Sequence, residues 1–306
     1  MKRAFASLCA ALAVTGTVVT GCGHGPDSGT PGPATAVPRP LTWQQELRIG
    51  DAQQRLTRRC MNSHGFAYRE DRTLTLRESM PVRYVQDDVA WARQYGYGGR
   101  IEARQDRLRL HNPIAAYRQS LSPTRRAAFD KALDGDDDVQ VLSAQLPGGQ
   151  EVRTRLGGCT KAAEKALYGD PADWFRASKT ATGLPALYDE QLLRDRQLTT
   201  AVTAWSRCVK RAGLSYADPQ AARDAVRENT ARLGTGGADK AFATERRTAA
   251  ADATCARATS LKTVATARET YYVDRLPGRY GEALDTYRRL ERQAYDRAAR
   301  IVPQRA

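Results

Sequence analysis

Histidine is scarce in this chain, with three among 306 residues, and His24 falls in a stretch too rich in proline and glycine to fold, leaving His64 and His111. That disfavours a histidine-based triad or a zinc hydrolase. Gly-x-Ser-x-Gly and His-Glu-x-x-His are also missing, and with them the common signatures of exported hydrolases. No helix-turn-helix, zinc-finger or RRM signature points to nucleic acid. Acidic residues are outnumbered: 34 against 48 basic ones give a formal charge of +14. The excess is mostly arginine, which suits a GC-rich genome and would also draw the protein to anionic polymers or head groups, an attraction that salt weakens. With 41% hydrophobic residues the chain can bury one large core or two small ones.

What is present begins at the N-terminus. Lys2 and Arg3 precede an apolar run at residues 4 to 19, as in a secretion signal, and the run meets Val19-Thr20-Gly21-Cys22. This resembles the bacterial lipobox, which implies a leader spanning 1 to 21 and a diacylglyceryl thioether on Cys22. Losing Lys2 and Arg3, with no acidic residue between 1 and 21, leaves +12 on the mature chain. Two rival readings are cleavage after Ala13, which shortens the apolar run too much, and an uncleaved anchor over 4 to 23, which is weakly apolar for a span of about 20 residues. Residues 23 to 40 are dense in Gly, Pro, Ser and Thr and read, with Cys22, as a tether that could reach about 60 Å.

Cys9 leaves with the leader, so Cys60, Cys159, Cys208 and Cys255 remain for the folded part. They lack the short spacing of a zinc site, and an oxidising compartment favours disulfides over buried thiols. A gapless internal echo bears on the pairing. Cys60-Met61-Asn62-Ser63-His64-Gly65-Phe66-Ala67-Tyr68 aligns on Cys208-Val209-Lys210-Arg211-Ala212-Gly213-Leu214-Ser215-Tyr216. In each copy a glycine stands where a helix would end in a left-handed residue, followed by an apolar residue able to fold back on the last turn. A single further cysteine follows each copy, so the simplest duplicated unit pairs Cys60 with Cys159 and Cys208 with Cys255.

The lipobox, the Pro-rich tether, the stretch from Cys60-Met61 to Gly65-Phe66-Ala67-Tyr68, and Leu156-Gly157-Gly158-Cys159 running to Leu167-Tyr168-Gly169-Asp170 together resemble a group of actinobacterial, Streptomyces-like secreted lipoproteins. The resemblance covers most of the mature chain. It implies an extracytoplasmic location and two disulfides, and supplies no active site.

Helical spacing dominates the remainder. Helices are expected from Thr42 to His64, Asp88 to Tyr95, Ser122 to Gly135 and Cys159 to Tyr168, from a cap and first turn at Asp170-Pro171, after Gly183-Leu184-Pro185 as one helix of about 25 residues ending at Gly213, from Asp218 to Gly234, from Ala238 for some forty residues, and after Pro277-Gly278. Val139, Val141 and Val152 around Leu146-Pro147-Gly148-Gly149 predict a hairpin at 139–155. The expected fold is mainly α, in two helical lobes (41–176 and 177–306) stapled by disulfides, the hairpin lying in the first.

Several patterns fail as chemistry. His64 before the capping glycine reads as a cation near a helix C-terminus. The cluster Asp134, Asp136, Asp137 and Asp138 has Val139 where a calcium loop needs glycine and Gln145 where it needs glutamate, so it reads as a solvated turn. Gly234-Thr235-Gly236-Gly237-Ala238-Asp239-Lys240 lacks the ending of a phosphate loop and a preceding strand. Tyr84, Trp91, Tyr95 and Tyr97 gather around Gly96, Gly98 and Gly99 and form the candidate binding surface, although Trp91 and Tyr95, four apart, could equally share one helix face. The expectation is a lipid-anchored envelope binding or scaffolding protein without catalytic residue, metal or cofactor. Its partners would be the membrane, through the lipid, and envelope proteins or anionic wall polymers, not nucleic acid. The rival is a wall hydrolase whose paired carboxylates meet only in three dimensions.

Overall fold

The computed structural model describes residues 39–305. The leader 1–21, Cys22 and nearly all of the tether lie outside the described residues. The described chain is mainly helical with one antiparallel hairpin. α1 (Trp43–Ser63) starts at a capping box in which Thr42 and Gln45 each satisfy the other's backbone N–H. α2 (Val89–Tyr95) starts where the Asp88 carboxylate accepts the Trp91 N–H at 2.9 Å. A Ser, Asn or Asp cap followed by proline opens α4 (Pro113–Ser120), α5 (Pro123–Asp134), α7 (Pro171–Gly183) and α10 (Pro219–Leu233). The cap oxygen takes an orphan N–H, and proline sits where no N–H is needed.

The internal echo is a structural repeat. α1 ends at His64, where the N–H of Phe66 reaches the Met61 carbonyl at 3.0 Å and that of Gly65 the Asn62 carbonyl at 3.0 Å. α9 (Arg196–Arg211) ends at Ala212 with Leu214 bonded to Val209 at 3.1 Å and Gly213 to Lys210 at 3.0 Å. Both are Schellman ends, and both glycines hold the left-handed φ they require, +77° at Gly65 and +81° at Gly213. Cys60 is joined to Cys159 on α6 (Gly158–Tyr168), and Cys208 to Cys255 on α11 (Ala238–Ala258), the pairing the duplicated unit predicts.

Two expected helices are interrupted. The stretch from Pro185 to Gly213 is α8 (Pro185–Leu193) and then α9, because the Asp195 carboxylate caps the second helix through the N–H groups of Gln197 and Leu198 and also meets Arg268. The stretch from Ala238 to Pro277 is α11 and then α12 (Leu261–Val273), broken at Ser260, whose φ of +52° no α-helix accommodates. α3 (Gly99–Leu110) and α4 are additions to the helices expected from sequence. α3 buries no residue, so its sequence carries no apolar stripe to detect. The hairpin joins β1 (Val141–Gln145) to β2 (Glu151–Arg155) in the register Val141↔Arg155 to Gln145↔Glu151, turning the side chain of Leu142 inward.

Packing is organised around the two bridges. Near Cys60–Cys159, Met61, Phe66 and Phe129 form one buried cluster, with the two phenyl rings edge to face at 5.4 Å. Near Cys208–Cys255, Leu198, Trp205, Val209, Ala222 and Leu261 form another. A third joins α1, α6 and α13 (Gly278–Ile301), where Trp174 of α7 stacks on Tyr168 at 3.7 Å and on Tyr287 at 5.5 Å. Helices distant in the chain pack together: α2 lies against α11, and α13 returns to α1, α6 and α7. The end of the chain is fixed by Arg305, bidentate to the buried Asp51 at 2.6 and 2.8 Å.

Candidate functional site

Helix α11 is the pivot of the molecule, with an inner face that grips and an outer face that is open. Its inner face carries Glu245, Thr248, Ala249, Asp252, Ala253 and Ala256, all buried. Glu245 accepts the backbone N–H groups of Tyr97 at 2.8 Å and Gly99 at 3.0 Å, which pins the turn after α2. At Gly96, with φ of +68°, a Cβ would stand 2.6 Å from the Glu245 side chain, so only glycine fits. Two turns further on, Asp252 accepts the Tyr97 hydroxyl at 3.0 Å and the Trp205 indole N–H at 2.9 Å. Asp252 is 1% exposed, and burial raises its carboxyl pKa to about 6 against the pull of Tyr97, Arg223 and Trp205. The Arg223 guanidinium lies over the Tyr97 ring, 5.3 Å from its centroid, and bonds the Arg83 carbonyl at 2.6 Å. Tyr97 is held far from ionising by burial and by Asp252.

This network absorbs the aromatic residues that the sequence offered as a binding surface. Trp91 is 1% exposed, gives its indole N–H to the Arg77 carbonyl at 2.8 Å, and packs on Tyr95 with ring centroids 5.2 Å apart. Tyr84 packs against the Trp205 cluster, and burial drives its hydroxyl up to about 12. Trp91 is buried and Tyr84, Tyr95 and Tyr97 are half-buried, each packed against a neighbour. Two members of the acidic cluster are engaged in ion pairs, Asp136 with Lys131 and Asp137 with Arg155 at 3.2 Å.

The accessible surface lies on the opposite sides of the same two helices. Ala90 and Arg93 of α2 face Thr254, Arg257 and Ala258 of α11 across an open depression of about 570 Å³. A second, of about 390 Å³, adjoins it at Arg93 and is bounded by Ala243, Arg246, Arg247 and Ala250. The result is a shallow groove with an alanine floor and four arginines on its walls. Asp88, the carboxylate at its rim, is occupied in capping α2. Two of the guanidinium groups also tie the helices together: Arg257 bonds the Asp87 carbonyl at 2.7 Å and Arg246 the Arg93 carbonyl at 2.6 Å. Phe242 carries Arg100 on its ring at 3.9 Å and Arg246 at 5.6 Å, which orients the latter. Arg93 and Arg247 make no side-chain hydrogen bond or ion pair among the described residues. Guanidinium forks spaced along a groove match the oxygens of phosphate or carboxylate groups. The signal in sequence is the row Ala243, Arg246, Arg247, Ala250, Thr254, Arg257 and Ala258, small and basic residues on one helical face.

Elsewhere, the ligand atoms of Cys60, His64 and Cys159 lie within 4.8 Å of one another, the sulfurs being joined as the disulfide. No helix among the described residues is long and apolar enough to cross a membrane. Comparison of the chain with protein-family models, curated proteins and solved structures finds no match to any of them.

Proposed function

We propose that this chain is a lipid-anchored binding or scaffolding protein of the bacterial envelope. It is held by diacylglycerol on Cys22 at the extracytoplasmic face of the cell membrane, and it engages a phosphate-rich wall polymer through the groove between α2 and α11. The observation that carries the ligand class is the groove itself, four arginines over alanines with its one rim carboxylate already committed. Two disulfides support an oxidising compartment. The Gly-, Pro-, Ser- and Thr-rich residues 23 to 40 are enough chain, at most about 60 Å, to let the folded part reach polymer in the wall.

Arg93 and Arg247 are the residues to replace, since Arg246 and Arg257 also hold α2 in place. The Arg93→Ser/Arg247→Ser double variant is expected to bind poly(glycerol phosphate) about tenfold more weakly than the unaltered chain, the effect of losing about 1.4 kcal/mol of charge-assisted contact. Calorimetry at low salt reads this directly. Arg109→Ser, on the far exposed part of α3, should leave the affinity unchanged, and raising salt should weaken all three chains. Equal loss from Arg109→Ser, or none from the double variant, would remove the groove as the site.

A further inference from the structure

We infer that Cys60, Cys159 and His64 form a redox-gated site for a soft or borderline metal ion, closed while the disulfide stands and opened when an external dithiol reduces it. This goes beyond the binding role proposed above and does not depend on it.

The placement comes from the helix end. Cys60 and His64 are four apart at the C-terminus of α1, so both side chains lie on one face one turn apart, and Cys159 approaches that face from α6. The two sulfurs and an imidazole nitrogen fall within 4.8 Å of one another. A tetrahedral Cys2His site needs those separations at about 3.5–3.8 Å, from metal–ligand bonds of about 2.3 Å to sulfur and about 2.0 Å to nitrogen. Once the sulfur–sulfur bond opens, the sulfurs move apart to that distance, and His64, exposed at the helix end, closes the remainder by side-chain rotation.

The chemistry balances with a dithiol as reductant. One of its thiolates attacks the Cys60 sulfur, the half-buried one, since Cys159 is 1% exposed, and the Cys159 thiolate departs. The second thiol resolves the mixed disulfide, so the dithiol leaves oxidised and its two electrons and two protons end on Cys60 and Cys159. A divalent ion then displaces both protons and is held by two thiolates and neutral imidazole.

The second bridge is a control built into the fold. Cys208, Ala212 and Cys255 repeat the placement and burial of Cys60, His64 and Cys159, half-buried, exposed and buried in turn, on a helix end of the same Schellman geometry. Alanine stands where the imidazole would be. The imidazole, present beside the first bridge and absent beside the second, is the difference between the copies that adds a metal ligand.

The test titrates the full chain, reduced and freed of reductant, with Co2+, reading thiolate-to-cobalt charge transfer and melting temperature. One equivalent should bind and raise the melting temperature. The oxidised chain should bind none. His64→Ala should weaken binding about 100-fold, at the upper end of the 10–100-fold typical of losing even an outer-shell partner. Ala212→His should add a second equivalent. His64 is exposed, so its replacement leaves the fold intact, and the reduced, metal-free chain is expected to keep its helices by circular dichroism; their loss on reduction would overturn the proposal. Equal affinity in the unaltered chain and His64→Ala, two equivalents in the unaltered chain, or no rise in melting temperature would each overturn the proposal.

Discussion

Removing the Cys60–Cys159 bridge by the double substitution Cys60→Ala/Cys159→Ala is expected to lower the unfolding free energy by about 5 kcal/mol, and the Cys208→Ala/Cys255→Ala pair by about 4 kcal/mol. The order follows from the loops closed, since the partners are separated by 99 and 47 residues, and loop-closure entropy grows with the logarithm of length. Cys159 and Cys255 are 1% and 2% exposed, so truncation to alanine adds a small packing loss at each. Either loss is a large part of the roughly 5–15 kcal/mol typical of a folded domain. Urea denaturation of the oxidised variants measures both. A loss below about 1 kcal/mol for either pair would mean that the helix ends are held by packing alone.

The buried carboxylate should make stability depend on pH in the reverse of the usual acidic pattern. Asp252 has a folded pKa of about 6 against 3.8 for the free side chain, with burial the dominant cause. The native state therefore holds the proton more tightly than the unfolded chain, so this contribution is fully present below about pH 4 and is lost as pH climbs through about 6. Its size is about 3 kcal/mol. Asp252→Asn keeps an acceptor for the Trp205 indole and cannot ionise. Its stability relative to the unaltered chain should rise by about 2–3 kcal/mol between pH 4 and pH 7, because every other titrating group, Glu291 with its raised pKa included, is common to both. Asp252→Ala should be destabilised by about 1–2 kcal/mol even at pH 4, since the Tyr97 hydroxyl loses its acceptor and the buried Trp205 N–H keeps only the backbone carbonyl of residue 252 at 3.3 Å. A pH-independent difference between the aspartate and asparagine chains would show that Asp252 titrates normally.

What is legible in the sequence is whatever local chemistry dictates. The caps at Thr42, Asp88, Ser122, Asp170 and Asp218 each use an oxygen two or three residues from the N–H it satisfies, so the starts of those helices follow from neighbours alone. The Gly65 and Gly213 ends are of the same kind, and their duplication carries the disulfide pairing. Asp195 reads as an interior residue of one long helix although its type favours a cap; Arg268 and Tyr272 on α12, which also hold its carboxylate, come from far along the chain. The helix α3 escapes a reading by hydrophobic periodicity because periodicity reports burial, and α3 has none. The groove escapes it for a third reason. Its walls come from residues 93 and 246–257, and Arg246 reaches the Arg93 carbonyl across 153 positions. The aromatic residues near Gly96 suggest a surface, whereas Glu245 and Asp252 turn that segment inward and leave the plain face of Ala90 and Arg93 outside.

The proposed envelope role requires that the chain mature outside the cell with lipid at its new N-terminus. The most direct measurement is intact-mass spectrometry of the protein isolated from its native membranes, with alkylation of free thiols under denaturing conditions. The expected result is an N-terminus at Cys22 bearing diacylglyceryl and no alkylated thiol, with Cys60, Cys159, Cys208 and Cys255 all bridged. An unmodified N-terminus upstream of Cys22 together with four alkylated cysteines would contradict it.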